Sequence, residues 1–236
     1  LWHRIQDDLG FPATGPANAH LDEVDGRVLL RLEARALNRA LAASDAPSRK
    51  SALADAIHLR ARRHAIFRQA AAEERSLEMH EGLAEYTGIA ISGAPTRLAM
   101  EGLARFESGG TFVRNFAYGT TPAYGVLIDS APSKEKENWR IGLKPADSLP
   151  EIAARVYGVS PTGGDAFDSA SRYDGGAVRQ QELLRSSEHL ARIKRLRALF
   201  VDGPVLILAA ENALNFSFNP NAQVPLDGLG TVYAGM

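Results

Sequence analysis

The sequence predicts an α+β protein that is predominantly α-helical, with a small β-sheet or hairpin at its C-terminal end. Three observations predict this fold class. Apolar residues recur at helical spacing over most of residues 1–200, proline and glycine stand at the ends of these segments, and the last segment changes to short apolar or alternating runs. We therefore divide the chain into a mainly helical domain, residues 1–200, and a short β-rich segment, residues 201–236, packed on it.

Amphipathic spacing and end signals predict a series of helices. They are residues 1–9, 27–43, 52–72, 75–87, 98–108, 122–129, 148–158 and 173–199. Two of these helices have a capping residue followed by proline at the predicted start. Thr121 directly precedes Pro122, and Ser148 stands two residues before Pro150. Proline is favoured in the first turn of a helix, where its missing N–H has no intrahelical partner in any case. We therefore expect one helix to begin at Pro122 and the other directly after Ser148, ending at Gly158.

The C-terminal segment carries the predicted strands. Its runs PVLILAA, ALNFSF and GTVYAGM are broken by Asn, Pro and Gly, which is typical of short strands joined by turns.

Composition excludes several function classes. The net charge is −1 over 236 residues, so the chain has no overall field that would attract nucleic acid or an anionic membrane. No run of eighteen apolar residues occurs, so we expect no transmembrane segment. The basic clusters RRH and RIKRLR lie on amphipathic helices without aromatic partners, and we interpret them as solvated faces. We therefore expect no nucleic-acid partner.

The absence of cysteine excludes disulfides, thiolate metal sites and a cysteine nucleophile. Any metal must then take nitrogen and oxygen ligands. The chain begins without Met and in a helical pattern, so we expect a processed chain or a fragment. A cysteine-free chain suits a cytoplasmic or a bacterial periplasmic protein. Localisation is left open, with a periplasmic or secreted protein slightly favoured, and so is the oligomeric state.

The segment EMHEGLAEYTG, residues 78–88, concentrates ionisable groups in two helical turns. It resembles the second zinc-binding helix of the gluzincin metallopeptidases, whose pattern is N-E-G-[F/L]-A-x-Y. The resemblance implies that Glu81 is a zinc ligand and that Tyr86 packs or hydrogen-bonds beside the metal. It also implies that the small Gly82 and Ala84 let this helix approach the helix that carries the other ligands. His80 departs from the pattern, which commonly has Asn at that position.

The other zinc ligands of that family lie in an HExxH helix, and HExxH does not occur in these 236 residues. The start LWHRIQ resembles the tail of H-E-x-x-H-R-x-Q, so that His-Glu before Leu1 would make His3 the second histidine. HLRARRH is rejected as the zinc helix, because His58 and His64 are six residues apart and lie on different faces of a helix. The helices between His3 and Glu81 would then be an insertion.

The resemblance implies a zincin-like helical core, a zinc cofactor and a peptide or protein substrate. The implied activity is a zinc-dependent peptidase that hydrolyses peptide bonds through a metal-activated water. Tyr86 and Tyr118 are the candidate catalytic residues, and Tyr124 and Tyr173 also lie on segments that could line a cleft. The alternative is a metal-free zincin-like binding or scaffold domain, and a third interpretation is that the motif is a coincidence in an unrelated helical domain.

Rival ligands are present in the sequence. Glu33 in RLEARAL also lies among small residues on a helix and is the rival third ligand. His20 and Asp22 form a loop pair that could touch a metal, although turn capping explains them as well.

Overall fold

The computed structural model describes residues 2–11, 15–132, 138–160 and 166–204. The chain divides into two compact units, Leu1–Leu190 and Ala191–Met236. The helices of the described residues are α1 (Trp2–Ile5), a 3₁₀ turn (Ala19–Leu21), α2 (Val24–Ala42), α3 (Ala46–Ile66), α4 (Ala70–Leu77), a π-helical turn (Glu78–Gly82), α5 (Leu83–Ala90), α6 (Pro95–Glu107), α7 (Phe116–Asp129), α8 (Leu149–Tyr157), α9 (Ala166–Ser171) and α10 (Gly175–Phe200).

The predominantly helical class is confirmed, and the described part of the chain contains no strand. Apart from Pro204, the first residue of PVLILAA, the three predicted strand runs lie outside the described residues. The C-terminal sheet and the division at residue 200 therefore stay predictions. None of the helices in the described ranges is long and apolar enough to cross a membrane. In the second unit, α10 continues to Phe200, and the next two residues donate their N–H groups to the carbonyl of Arg197.

Helix α7 is the central helix of the first unit. It packs against α2, α5, α6, α8 and the π-helical turn. Every residue from Phe116 to Ile128 is buried except Tyr118. The apolar composition of this segment is therefore explained by burial on all sides of the helix.

The predicted start of α7 is wrong. The helix begins at Phe116, and Pro122 lies inside it. A proline in the interior removes one backbone hydrogen bond and normally marks a start, but burial on all sides stabilises the helix through this position. By contrast, α8 spans Leu149–Tyr157 and ends where Gly158 adopts a φ of 60°, as the sequence predicts.

A buried charge network lies where α2, α3, α4 and the π-helical turn meet. We define it as Glu33, Arg60, Arg63, Glu74 and Glu78, all at most 5% exposed. Arg60 binds both carboxylate oxygens of Glu78 at 2.8 and 2.6 Å, and Arg63 binds both of Glu74 at 2.7 Å. The third nitrogen of Arg63, Nη1, lies 2.7 Å from Glu33. The network therefore ties four consecutive elements together through ion pairs and hydrogen bonds that are largely removed from water.

Glycines let α7 approach the segment that carries the candidate site. A Cβ atom at Gly125 would lie 2.3 Å from the ring of Tyr86, and one at Gly82 would lie 2.2 Å from the hydroxyl oxygen of Thr121. Both distances are far below van der Waals contact. The space that Gly82 leaves is thus filled by α7, while α1 also packs against α5.

We expect Gly125→Ala to lower the free energy of unfolding by about 1–3 kcal/mol, because the new methyl group would displace the ring of Tyr86. Gly88→Ala on α5 is the matched control: it meets no atom within 4 Å, and alanine favours the helix by up to about 1 kcal/mol. Urea unfolding followed by circular dichroism measures both. Equal effects of the two variants would contradict the close packing of Gly125.

Candidate functional site

The candidate site is built on the π-helical turn Glu78–Gly82, which joins α4 to α5. A π-helical turn holds more residues than an α-helical turn, and such turns are frequent at functional sites. Because of the wider turn, two residues spaced by three diverge further around the axis than they would in an α-helix. Glu78 points into the core and is 3% exposed, whereas the side chain of Glu81 lies beside α1 and is 14% exposed.

The structure brings the two predicted metal ligands together. Nε2 of His3, on α1, lies 3.7 Å from Oε2 of Glu81. The imidazole of His80 lies beside both: its ring centroid is 5.3 Å from that of His3, and its Nδ1 is 3.5 Å from Oε1 of Glu81. Residues 78 positions apart in the sequence therefore meet at one point of the surface.

Gln6 fixes the orientation of the His3 ring. Its side-chain nitrogen donates to the carbonyl oxygen of His80 at 3.0 Å. A carbonyl can only accept, so the amide oxygen of Gln6 must be the atom that lies 2.7 Å from Nδ1 of His3. That oxygen also only accepts, so Nδ1 of His3 carries a proton and donates it. In neutral His3, the Nε2 atom that faces Glu81 then carries no proton and presents a lone pair.

Two further side chains bind the carboxylate of Glu81. The hydroxyl of Tyr118 donates to Oε2 at 2.7 Å, and Arg114 donates to Oε1 at 3.0 Å. Burial, followed by the hydrogen bond to Glu81, raises the pKa of Tyr118, so its phenol keeps the proton that it donates. Tyr118 thus lies beside Glu81, and its catalytic role stays a prediction.

Tyr86 lies in another cluster. Its hydroxyl donates to Asp129 at 2.7 Å and accepts from Arg140, and the indole of Trp139 donates to the same carboxylate at 2.9 Å. Burial, then the hydrogen bond to Asp129, raises the pKa of Tyr86. The structure does not join the Tyr86 hydroxyl to His3 or Glu81, and its catalytic role stays a prediction.

The rival ligands lie elsewhere. Glu33 is fully buried and accepts from the hydroxyl of Tyr124 at 2.8 Å. His20 is buried with Nε2 at 2.7 Å from Glu74. The Tyr173 hydroxyl donates to Asp55 at 2.8 Å. Each of these groups therefore already has a partner in the core or against α3.

The donor set can be tested against zinc by its chemistry and spacing. Two ligands of a tetrahedral zinc site, each about 2.1 Å from the ion, are about 3.4 Å apart. The 3.7 Å between His3 and Glu81 is close to that separation, and imidazole nitrogen and carboxylate oxygen are both zinc ligands. Within the described ranges, no group of three or more His, Cys, Asp or Glu side chains is arranged to hold a metal ion. The described residues thus fit two positions of a zinc site.

Two residues of the site carry no role in the sequence prediction. Gln6 is the last residue of the H-R-x-Q pattern and lies one helical turn after His3, and this spacing is the signal that could have assigned it. Arg114 lies in a loop before α7 and offers no comparable signal. No family model, curated protein or solved structure matches this chain.

Proposed function

We propose that this chain belongs to a zinc-dependent peptidase of the gluzincin type, in which His3 and Glu81 are zinc ligands. The observation that carries the proposal is the 3.7 Å approach of Nε2 of His3 to Oε2 of Glu81. The remaining imidazole ligand and the general base would come from the His-Glu that we expect before Leu1. The substrate class is peptides or proteins.

A positive charge on His3, or between His3 and Glu81, would stabilise the approach of these two atoms. Glu81 presents a carboxylate oxygen. In neutral His3 the nitrogen that faces this oxygen presents a lone pair, because the ring proton is on Nδ1 and is donated to Gln6. Two electron-rich atoms at this distance repel each other unless His3 is protonated or a cation bridges them. A bridging zinc ion would satisfy both atoms at the spacing that its coordination requires.

Each side chain then has a defined task. Gln6 orients the imidazole of His3, as partners of metal-binding histidines commonly do. Tyr118 and Arg114 hold the carboxylate of Glu81, and the phenol of Tyr118 is a proton donor within reach of a substrate oxygen at the same place. Zinc bound at this point would lower the pKa of a water molecule and polarise the scissile carbonyl.

One observation favours the alternative of a metal-free binding or scaffold domain. The carboxylate of Glu81 already accepts hydrogen bonds from Tyr118 and Arg114 on its two oxygens. A protonated His3 would complete a stable polar cluster without any metal.

Zinc analysis of the full-length protein that contains this chain separates the two functions. We expect a stoichiometric amount of zinc in the wild type after dialysis, and little in Glu81→Gln or His3→Gln, because each variant removes one ligand. Inductively coupled plasma mass spectrometry gives the metal content, and cleavage of a quenched fluorescent peptide library gives the activity. Activity should disappear with a chelator and return with zinc.

Glu85→Gln and His58→Gln are the matched controls. Glu85 follows Glu81 by one turn and lies on α5, and His58 lies on α3, where its ring is bonded to the carbonyl of Ser160. Both controls should retain zinc. Equal zinc in the wild type and in Glu81→Gln would remove Glu81 as a ligand, and a zinc-free wild type would leave the metal-free domain as the function.

A further inference from the structure

A cavity of about 280 Å³ adjoins the candidate site. Its walls include Phe11, Arg75, Met79, His80 and Pro145. His80 also lies 3.5 Å from Glu81, so the same imidazole borders the cavity and the candidate zinc ligand. A substrate whose reacting bond lies at Glu81 would place a neighbouring residue in this cavity.

The cavity is lined by apolar side chains and by the cationic side chain of Arg75. Phe11, Met79 and Pro145 contribute carbon surface, and Arg75 contributes a guanidinium that is half-buried. Among the residues that the structure describes, no carboxylate pairs with Arg75. Arginines of similar or deeper burial do have such partners: Arg31 pairs with Glu107 and Glu182, and Arg63 pairs with Glu33 and Glu74.

A guanidinium that is partly removed from water without a counter-charge is a binding group for an anion. Its planar fork of N–H donors matches the two oxygens of a carboxylate, and the bond is stronger than between neutral groups. The cavity is smaller than the usual sites of drug-sized ligands, which occupy roughly 300–1,000 Å³, so it suits one amino-acid residue.

We propose that this cavity is a specificity pocket for a peptide residue that carries a carboxylate, with Arg75 as the group that binds the carboxylate and Phe11 and Met79 as the surface for its carbon atoms. The carboxylate is either an acidic side chain or the C-terminus of the peptide. This inference rests on the proposed peptidase function for its biological meaning, but the binding of a carboxylate to Arg75 is independent of catalysis.

The test is equilibrium binding of three short peptides to the full-length protein, measured by isothermal titration calorimetry with peptide integrity checked by mass spectrometry. The probes are acetyl-Ala-Ala-Phe with a free carboxylate, the same peptide as its amide, and acetyl-Ala-Ala-Glu amide. We expect at least one carboxylate peptide to bind about tenfold tighter than the Phe amide, because one charge-assisted contact is worth about 1.4 kcal/mol or more. Preference for the free acid identifies the C-terminus, and preference for the Glu amide identifies the side chain.

Variants assign the preference to Arg75. We expect Arg75→Gln to abolish the tenfold difference and Arg75→Lys to retain part of it, since lysine keeps the charge but loses the fork. Arg62→Gln, an exposed arginine on α3, is the control and should leave the difference unchanged. Equal affinities of all three peptides, or equal losses in Arg75→Gln and Arg62→Gln, would overturn the inference. Zinc uptake is a separate readout, so the pocket and the peptidase function can each fail without the other.

Discussion

Replacing Arg63 by methionine should destabilise this protein by about 3–5 kcal/mol, which is a large part of the stability of a domain of this size. The side chain is fully buried and pairs with the carboxylates of Glu33 and Glu74. Although burial lowers the pKa of Arg63, these two carboxylates raise it above its ordinary value, so the guanidinium stays charged. Methionine fills a similar volume, but it leaves the carboxylates of Glu33 and Glu74 in the core with Arg60 as their one shared guanidinium among the described residues.

Arg62→Met is the matched control for Arg63→Met. It changes the adjacent residue of the same helix to the same side chain, but Arg62 is exposed, and we expect an effect within about 0.5 kcal/mol. Urea unfolding monitored at 222 nm measures both. A second variant, Arg63→Met with Glu74→Gln, should recover part of the loss because it removes one uncompensated charge. Indistinguishable midpoints for the two single variants would mean that the buried charge network contributes little to stability.

The stability of the protein should also fall as the pH rises from about 4.5 to about 7, through Glu78. Burial raises the pKa of this carboxyl to about 7, against the opposing pull of Arg60. A charge count explains why this residue holds the proton. Three carboxylates of the network face two guanidiniums, and Arg63 and Arg60 hold the pKa of Glu74 well below its usual range despite burial. The charges of Glu74 and Glu33 then add to burial in raising the pKa of Glu78.

The direction of the effect follows from proton counting. Below pH 4.5 Glu78 is protonated in both the folded and the unfolded chain, and above pH 7 it is ionised in both. Between these values the folded chain holds a proton that unfolding releases, so the free energy of unfolding decreases as the pH rises. A difference of this size between the two pKa values corresponds to about 3 kcal/mol in total. The stabilising contribution is complete below pH 4.5 and is lost as the pH passes through 7.

Comparison with Glu78→Gln isolates this contribution. Glutamine cannot titrate, so the variant should lack the decrease, although its absolute stability changes because an amide then faces Arg60. The measurement is the free energy of unfolding in urea at intervals from pH 5 to pH 8. Glu85→Gln, which removes a carboxylate outside the network, should reproduce the wild-type curve. Parallel curves for the wild type and Glu78→Gln would show that Glu78 does not titrate in this range.

The sequence predicts most of the helices because their signals are local. Helix α8 begins and ends as predicted, since Ser148, Pro150 and Gly158 act within one or two turns. The start of α7 is mispredicted because Pro122 gives a local start signal that burial in the centre of the fold overrides. Helix α3 begins at Ala46 rather than at residue 52, because the side chain of Asp45 accepts the N–H of Ser48 and caps the helix earlier.

Some residues of the candidate site could likewise be predicted from the sequence, and others could not. His3, Glu81 and Tyr118 are predicted from residue types and a motif, and the structure places the three together. Arg114 and Arg75 could not be predicted, because their positions depend on how loops and helices distant in sequence pack. The buried charge network is also outside the reach of pattern analysis. Its charged residues look like solvated helix faces in the sequence, and only their three-dimensional pairing makes them core residues.

The π-helical turn makes this region sensitive to chain length as well as to side-chain identity. Removing one residue from Glu78–Gly82 would force the wide turn either to close into an ordinary α-helical turn or to rotate α5 relative to α4. A rotation would move Tyr86 away from Gly125, although every residue of α5 would be unchanged. Sequences that diverge from this one can therefore be expected to keep the number of residues in this segment together with Glu78, Glu81 and Gly82.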